Sequence, residues 1–326
     1  MAYTAQQQRL RQEFRDRQVI AAIEAGHTTG VAALLAAGAS VNGSPALRFP
    51  PIVHAAGIGS VSMINCLVKH GANVNIGTFK TLKSSDGNAE MAKGCRALHV
   101  ALKDGHVGAY RALLKAGADP NAADKQGHTP LMAICNTDSV PAAPRVVAAR
   151  ELLEAGGDAS RADIFGRTAM HFAVSREDGI GLIDALWSIS PSTLTTPDVE
   201  GVTPLALAAG RGRCSSITHL LSLGATQPMK FRDMPLIGAV FENHVSAVGA
   251  LLSAGLEPNG GPEALTYAMF GCLTHRCAKI LRLLLSLCGE EEKKRWANLR
   301  NSDGPVLHIA SSLDNLAALC AACGRG

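Results

Sequence analysis

The chain has 326 residues, 47% of them hydrophobic and 18% charged, with a formal net charge of +4. The apolar fraction excludes a disordered or collagen-like chain, and so small a net charge, with no clustered basic face, argues against nucleic acid as the partner. Aromatics supply only 4% of residues, so the core must be built from Ala, Leu, Val and Ile, which suits closely packed helices.

The N-terminal segment, rich in Gln and Arg from Gln6 to Gln18, reads as a polar capping helix and lacks the apolar stretch of a secretory signal. Further along, the string Leu-Leu-x-x-Gly-Ala recurs at Leu34…Ala39, Leu113…Ala118 and Leu220…Ala225, with variants at Cys66…Ala72, Leu152…Gly157 and Leu251…Gly255. A second string leads each unit: Thr129-Pro130-Leu131, Thr168-Ala169-Met170-His171-Phe172-Ala173 and Thr203-Pro204-Leu205. Its Leu slot is filled by Val19, Ile52, Leu98, Leu131, Met170, Leu205, Leu236, Leu265 and Leu307. The Gly of Gly-Ala follows that slot by 19 residues in five units, and in the last unit the same offset lands on Gly326.

Two markers at a fixed offset and a period near 33 residues resemble the ankyrin repeat family. The resemblance implies an all-α solenoid of eight to nine helix-pair units joined by short β-hairpin loops. The local chemistry agrees. Thr203 suits an N-cap and Pro204 the first helical position, and Ile217, Leu220 and Leu221 give the second helix one apolar side. The turn-forming run Asp119–Gly127 makes the projecting hairpin. A single helix pair buries too little surface to stand alone, so one continuous repeat domain is expected. Residues 1–16 are assigned to the cap and 17–326 to the repeats, in units near 17–49, 50–94, 95–127, 128–166, 167–201, 202–232, 233–261, 262–304 and 305–326.

Three stretches depart from the pattern. Residues 77–93 carry a polar surplus in the hairpin region, Asn136–Pro144 lengthens an inter-helix loop, and Ser190-Pro191 stands where Gly-Ala belongs. His99, His171 and His308 share one slot of the string, and His27, His106 and His244 another, so they read as structural residues that hydrogen-bond a neighbouring loop rather than as metal ligands. Cys66, Cys95, Cys135 and Cys214 read as buried small apolar residues, and the nine cysteines as free thiols.

Cys320-Ala321-Ala322-Cys323-Gly324 has two readings. It is the second helix of the ninth unit, or it resembles the opening of a MYND-type zinc finger; Cys320 and Cys323 are then zinc ligands only if the chain continues, because two further ligands do not follow. No phosphate loop, zinc-protease string or catalytic triad is present, so neither catalysis nor a cofactor is expected.

The resemblance implies a non-catalytic scaffold that binds one or more proteins on a concave face of hairpin tips and first helices. The candidate contacts are Asp124, Lys125 and Gln126; Asp163, Ile164 and Phe165; Val199 and Glu200; and Lys230, Phe231 and Arg232. The rival is a targeting arm of a larger protein with a zinc finger or catalytic domain beyond residue 326. A monomer in the cytoplasm or nucleus is expected, bound to neither nucleic acid nor membrane.

Overall fold

The computed structural model describes residues 2–47, 49–79, 82–83, 90–91, 93–225, 235–254, 279–280, 283, 300–301 and 304–305. Among them the fold is all-α apart from two-residue strands. The helices fall in pairs: α1 (Ala2–Glu24) with α2 (Thr28–Ala36), α3 (Pro51–Ile58) with α4 (Val61–Lys69), and α5 (Ala97–Lys103) with α6 (Val107–Lys115). Then come α7 (Pro130–Asn136) with α8 (Ala142–Glu154), α9 (Ala169–Val174) with α10 (Ile180–Ile189), α11 (Pro204–Gly210) with α12 (Cys214–Ser222), and α13 (Pro235–Phe241) with α14 (Val245–Ser253).

The chain divides into two compact units, Met1–Phe172 with Asp184–Ser190, and Ala173–Ile183 with Pro191–Gly326. The division falls inside the fifth helix pair, the one without Gly-Ala. In the first unit the leading helices α1, α3, α5 and α7 pack in sequence, and α2, α4 and α6 do the same behind them. In the second, α11 packs on α13 and α12 on α14.

The recurring strings have direct structural causes. The seven described residues of the Leu slot are all core: Val19, Ile52, Met170 and Leu205 are fully shielded from solvent, and Leu98, Leu131 and Leu236 nearly so. The Thr that opens the string is the N-cap: the hydroxyls of Thr129 and Thr203 accept from the Met132 and Ala206 N–H groups, both at 3.3 Å. Gly-Ala closes the second helix. After α6 the Gly117 N–H donates to Leu114 O at 3.0 Å and the Ala118 N–H to Leu113 O at 2.9 Å, with Gly117 left-handed at φ +85°. Where Ser190-Pro191 replaces this pair, proline has no N–H to give, and the chain turns through a 3-10 segment, Pro191–Leu194, instead.

Histidines tie neighbouring pairs together. His99 Nε2 donates to His128 O at 2.9 Å while its Nδ1 accepts the Arg96 N–H at 3.4 Å. His106 Nε2 reaches Gly57 O at 2.9 Å, and its ring lies on Gly59, where a Cβ would sit 2.6 Å from Nδ1. His308 lies outside the described residues.

Three expectations are adjusted. The polar N-terminal segment and the first repeat helix are one helix, since α1 runs unbroken past residue 16. The loop read as Asn136–Pro144 is shorter, because Ala142–Pro144 form the first turn of α8, where proline is tolerated. Of the cysteines, Cys95 and Cys135 are buried, but Cys66 and Cys214 are only half-buried. Within the surplus at residues 77–93, β1 (Leu82–Lys83) pairs antiparallel with β2 (Glu90–Met91), and Gly77 forms a bridge with Arg96.

A ladder of amide side chains, unnoticed in the sequence, runs along the loops that follow the second helices. Asn42 Oδ1 accepts the Asn73 N–H at 2.8 Å, Asn75 Oδ1 that of Asp119 at 2.8 Å, and Asn121 Oδ1 that of Asp158 at 2.7 Å. Asn121 also donates to Gly156 O at 2.8 Å, so Asn121→Ala removes two hydrogen bonds between consecutive units. The expected loss is about 1–2 kcal/mol, read as a lower urea midpoint with an unchanged slope.

Candidate partner-binding site

Three hairpin tips share the string Asp-x-x-Gly-x-Thr: Asp124–Thr129, Asp163–Thr168 and Asp198–Thr203. One carboxylate organises each. Asp124 Oδ1 accepts the N–H groups of Gln126 at 2.8 Å and His128 at 2.9 Å. Asp163 Oδ1 accepts those of Phe165 and Arg167, and Asp198 Oδ1 those of Glu200 and Val202, all at 2.9 Å. The glycine completes the turn at positive φ, and at Gly127 (φ +81°) a Cβ would also collide with Asp163 Cα at 2.9 Å.

Within the first unit the tips are joined edge to edge. The Lys125 N–H donates to Lys93 O and the Ile164 N–H to Gln126 O, each at 3.0 Å. Beneath them His128 lies between two carboxylates, its Nδ1 3.6 Å from Asp124 Oδ2 and its Nε2 3.4 Å from Asp163 Oδ2. Arg167 binds Asp163 Oδ2 through Nε at 2.9 Å and Nη2 at 2.8 Å. The guanidinium of Arg167 also lies 4.9 Å from the ring centres of both Phe165 and Phe172. Burial pushes the Asp124 carboxyl up, but hydrogen bonds from the His128 side chain and from the His128 and Gln126 N–H groups outweigh it and hold the carboxyl below its ordinary range.

The sequence-derived contact set therefore separates into two kinds of residue. The Asp163 side chain is fully buried and Asp124 is spent on its own turn, so both act as tip braces. Lys125, Ile164, Phe165, Val199 and Glu200 face solvent, and Gln126 is half-exposed. Lys230, Phe231 and Arg232 lie outside the described residues, as do Cys320 and Cys323. Sequence reading missed His128, Arg167 and Phe172. The signal was present: the residue four places after each tip Asp shares its turn, and in two of the three tips it is a cationic or imidazole side chain.

A cavity of about 160 Å³ opens beside the tips of the first unit. Its apolar wall is Val100, Met132, Ala133 and Phe172, and Lys103 and Gln126 stand among its polar groups. The Cys95 thiol borders it, pushed up to about 12 by burial, so it stays protonated and a poor nucleophile at neutral pH. No group of three His, Cys, Asp or Glu residues suited to a metal ion occurs among the described residues, and none of their helices is long and apolar enough to cross a membrane.

Lys125 touches its neighbours through its backbone, so Lys125→Ala is expected to change stability by less than about 0.5 kcal/mol in urea unfolding.

Comparison with known proteins agrees with this architecture. The family profile described as Ankyrin repeats (3 copies) matches residues 18–124. Over 82 residues the chain is 35% identical to the B-cell lymphoma 3 protein homolog of Mus musculus, covering 25% of this chain and 15% of that protein. It is 38% identical over 82 residues to the E3 ubiquitin-protein ligase KEG of Arabidopsis thaliana, covering 25% of this chain and 4% of that one. It is 29% identical over 140 residues to the mitochondrial disaggregase of Bos taurus, covering 36% and 21%. The chain thus spans about a fifth or less of the length of these relatives. The ankyrin repeats detected in this way lie within residues 18–124.

Proposed function

We propose that this ankyrin-repeat chain is a non-catalytic scaffold that binds a partner protein on the concave face formed by its hairpin tips and leading helices. One observation carries the reading. The tips engage their Asp carboxylates in their own turns and leave large apolar side chains in solvent: Ile164 is 61% exposed, Phe165 49% and Val199 70%. Exposed aromatic and aliphatic anchors on a braced backbone are what a protein interface uses. On this reading residues 17–326 form one repeat array behind the 1–16 cap, and the chain is a cytoplasmic or nuclear monomer without a cofactor.

Proximity labelling followed by pull-down with the double variant Ile164→Ala, Phe165→Ala tests this. Partners captured by the wild-type chain should be lost with the variant while its circular dichroism stays unchanged. Partners retained in full overturn the assignment to the tips.

A second reading has support of its own, because the matched relatives are far longer than this chain. The repeats then serve as the targeting arm of a larger protein whose catalytic or zinc-finger domain lies beyond residue 326. Coding sequence downstream of Gly326 with Cys and His at finger spacing supports that reading; a stop codon there rejects it.

A further inference from the structure

The tip face of the first unit has a charge pattern that the scaffold reading leaves unused. Both Asp side chains of its two described Asp-x-x-Gly tips are engaged inside the fold, Asp124 by its own turn and Asp163 by Arg167 and its own turn. Three cations of the same loops stay outside: Lys93, Lys125 and Arg161 are exposed. These loops form one surface, because Lys125 is hydrogen-bonded to Lys93 and Ile164 to Gln126. Among the described residues of these loops the exposed carboxylates are Asp119, which accepts from the Asn121 N–H at 2.8 Å, and Asp158, which accepts from the Ser160 N–H at 2.9 Å and hydroxyl at 2.6 Å and stands near Arg161.

Apolar surface lies within that rim of positive charge. Phe165 projects at the tip, Arg167 bridges it to Phe172, and Phe172 walls the cavity of about 160 Å³. At the far end of α5 the cavity reaches Lys103, followed by the exposed carboxylate Asp104. The surface therefore offers an apolar slot with cations along the tip edge.

We propose that this face binds an extended acidic segment of the partner protein, with one apolar side chain of that segment seated in the Phe172 cavity and its carboxylates along Lys93, Lys125 and Arg161. The proposal rests on the scaffold reading and specifies the chemistry of its partner. Opposite charge on the segment speeds encounter and fixes its register, and the cavity supplies an anchor that repels water. A basic segment is disfavoured on the same ground, since it would set like charges against the tip edge.

The test is a phage-displayed library of random dodecapeptides panned on the full chain. Enriched peptides are then synthesised with a fluorescent label and titrated by anisotropy at about 50 mM and about 200 mM sodium chloride. The expected peptides are rich in Asp and Glu around a Leu, Ile, Met or Phe, and bind more weakly at the higher salt. Lys125→Glu with Arg161→Glu should weaken them roughly tenfold or more at unchanged circular dichroism. Uncharged or basic peptides that lose binding in Phe165→Ala overturn the acidic inference and leave the scaffold reading intact. Acidic peptides indifferent to the charge reversal also overturn the inference. A selection without any tip-dependent peptide overturns both.

Discussion

Leu205→Ala is expected to destabilise the second unit by about 2–5 kcal/mol, the range for a buried leucine whose cavity collapses only in part. Leu205 is fully shielded, on a helix capped by Thr203 and pressed against α13. The approach there is close: a Cβ added to Gly238 would lie 3.5 Å from Gly210 Cα. Helices this near have little slack with which to fill the space left by the isobutyl group. Because stability in a repeat array is approximately a sum of nearest-neighbour terms, the loss should stay local. Amide exchange should accelerate across α11–α14, while residues 19–120 keep their protection. A neutral Leu205→Ala, or equal loosening of residues 19–120, would mean that the repeat register is wrong.

The parts of this fold legible in the sequence were those in which one residue type has one physical use. Glycine at the end of a second helix must be left-handed, threonine before proline must cap, and the slot seven described units share must be apolar. All three follow from backbone sterics or burial, and they locate every helix pair between α1 and α14. Less legible were residues whose role depends on a neighbour. Nothing in the local sequence of Asn121 says that its amide spans to Gly156 and Asp158 in the next unit. The tip residues misled for a related reason. Asp124 and Asp163 look like surface charge in a polar turn, yet in folded geometry the shortest acidic side chain reaches back to its own N–H groups. Lys125 and Phe165, one and two places further on, have no such reach and point outward. The string Asp-x-x-Gly-x-Thr shows this division once its Asp is assigned to the turn.

His99 makes the stability of the first unit depend on pH. Its ring is 3% exposed, and burial holds it at about 4, far below the ordinary imidazole value; Asp124 nearby and the bond to the His128 carbonyl oppose the shift without cancelling it, while Arg96 and the His128 side chain add to it. The neutral ring is what the fold requires, with Nε2 donating to His128 O and Nδ1 accepting from the Arg96 N–H, because a protonated Nδ1 would face that N–H as a second donor. The folded value lies below the unfolded one, so unfolding takes up a proton between them. The stabilisation is complete above about pH 6.5 and is lost as pH falls from there to about 4, the loss reaching about 3 kcal/mol. His54, also lowered by burial although Glu24 opposes the shift, contributes with the same sign. Urea unfolding of the wild-type chain across this window should therefore show a falling midpoint. His99→Gln should be less stable at pH 7 yet have a flatter profile between about pH 6.5 and about pH 4, since an amide can donate to the same carbonyl and takes up no proton there. A variant whose profile is as steep as that of the wild type would assign the acid sensitivity to other groups.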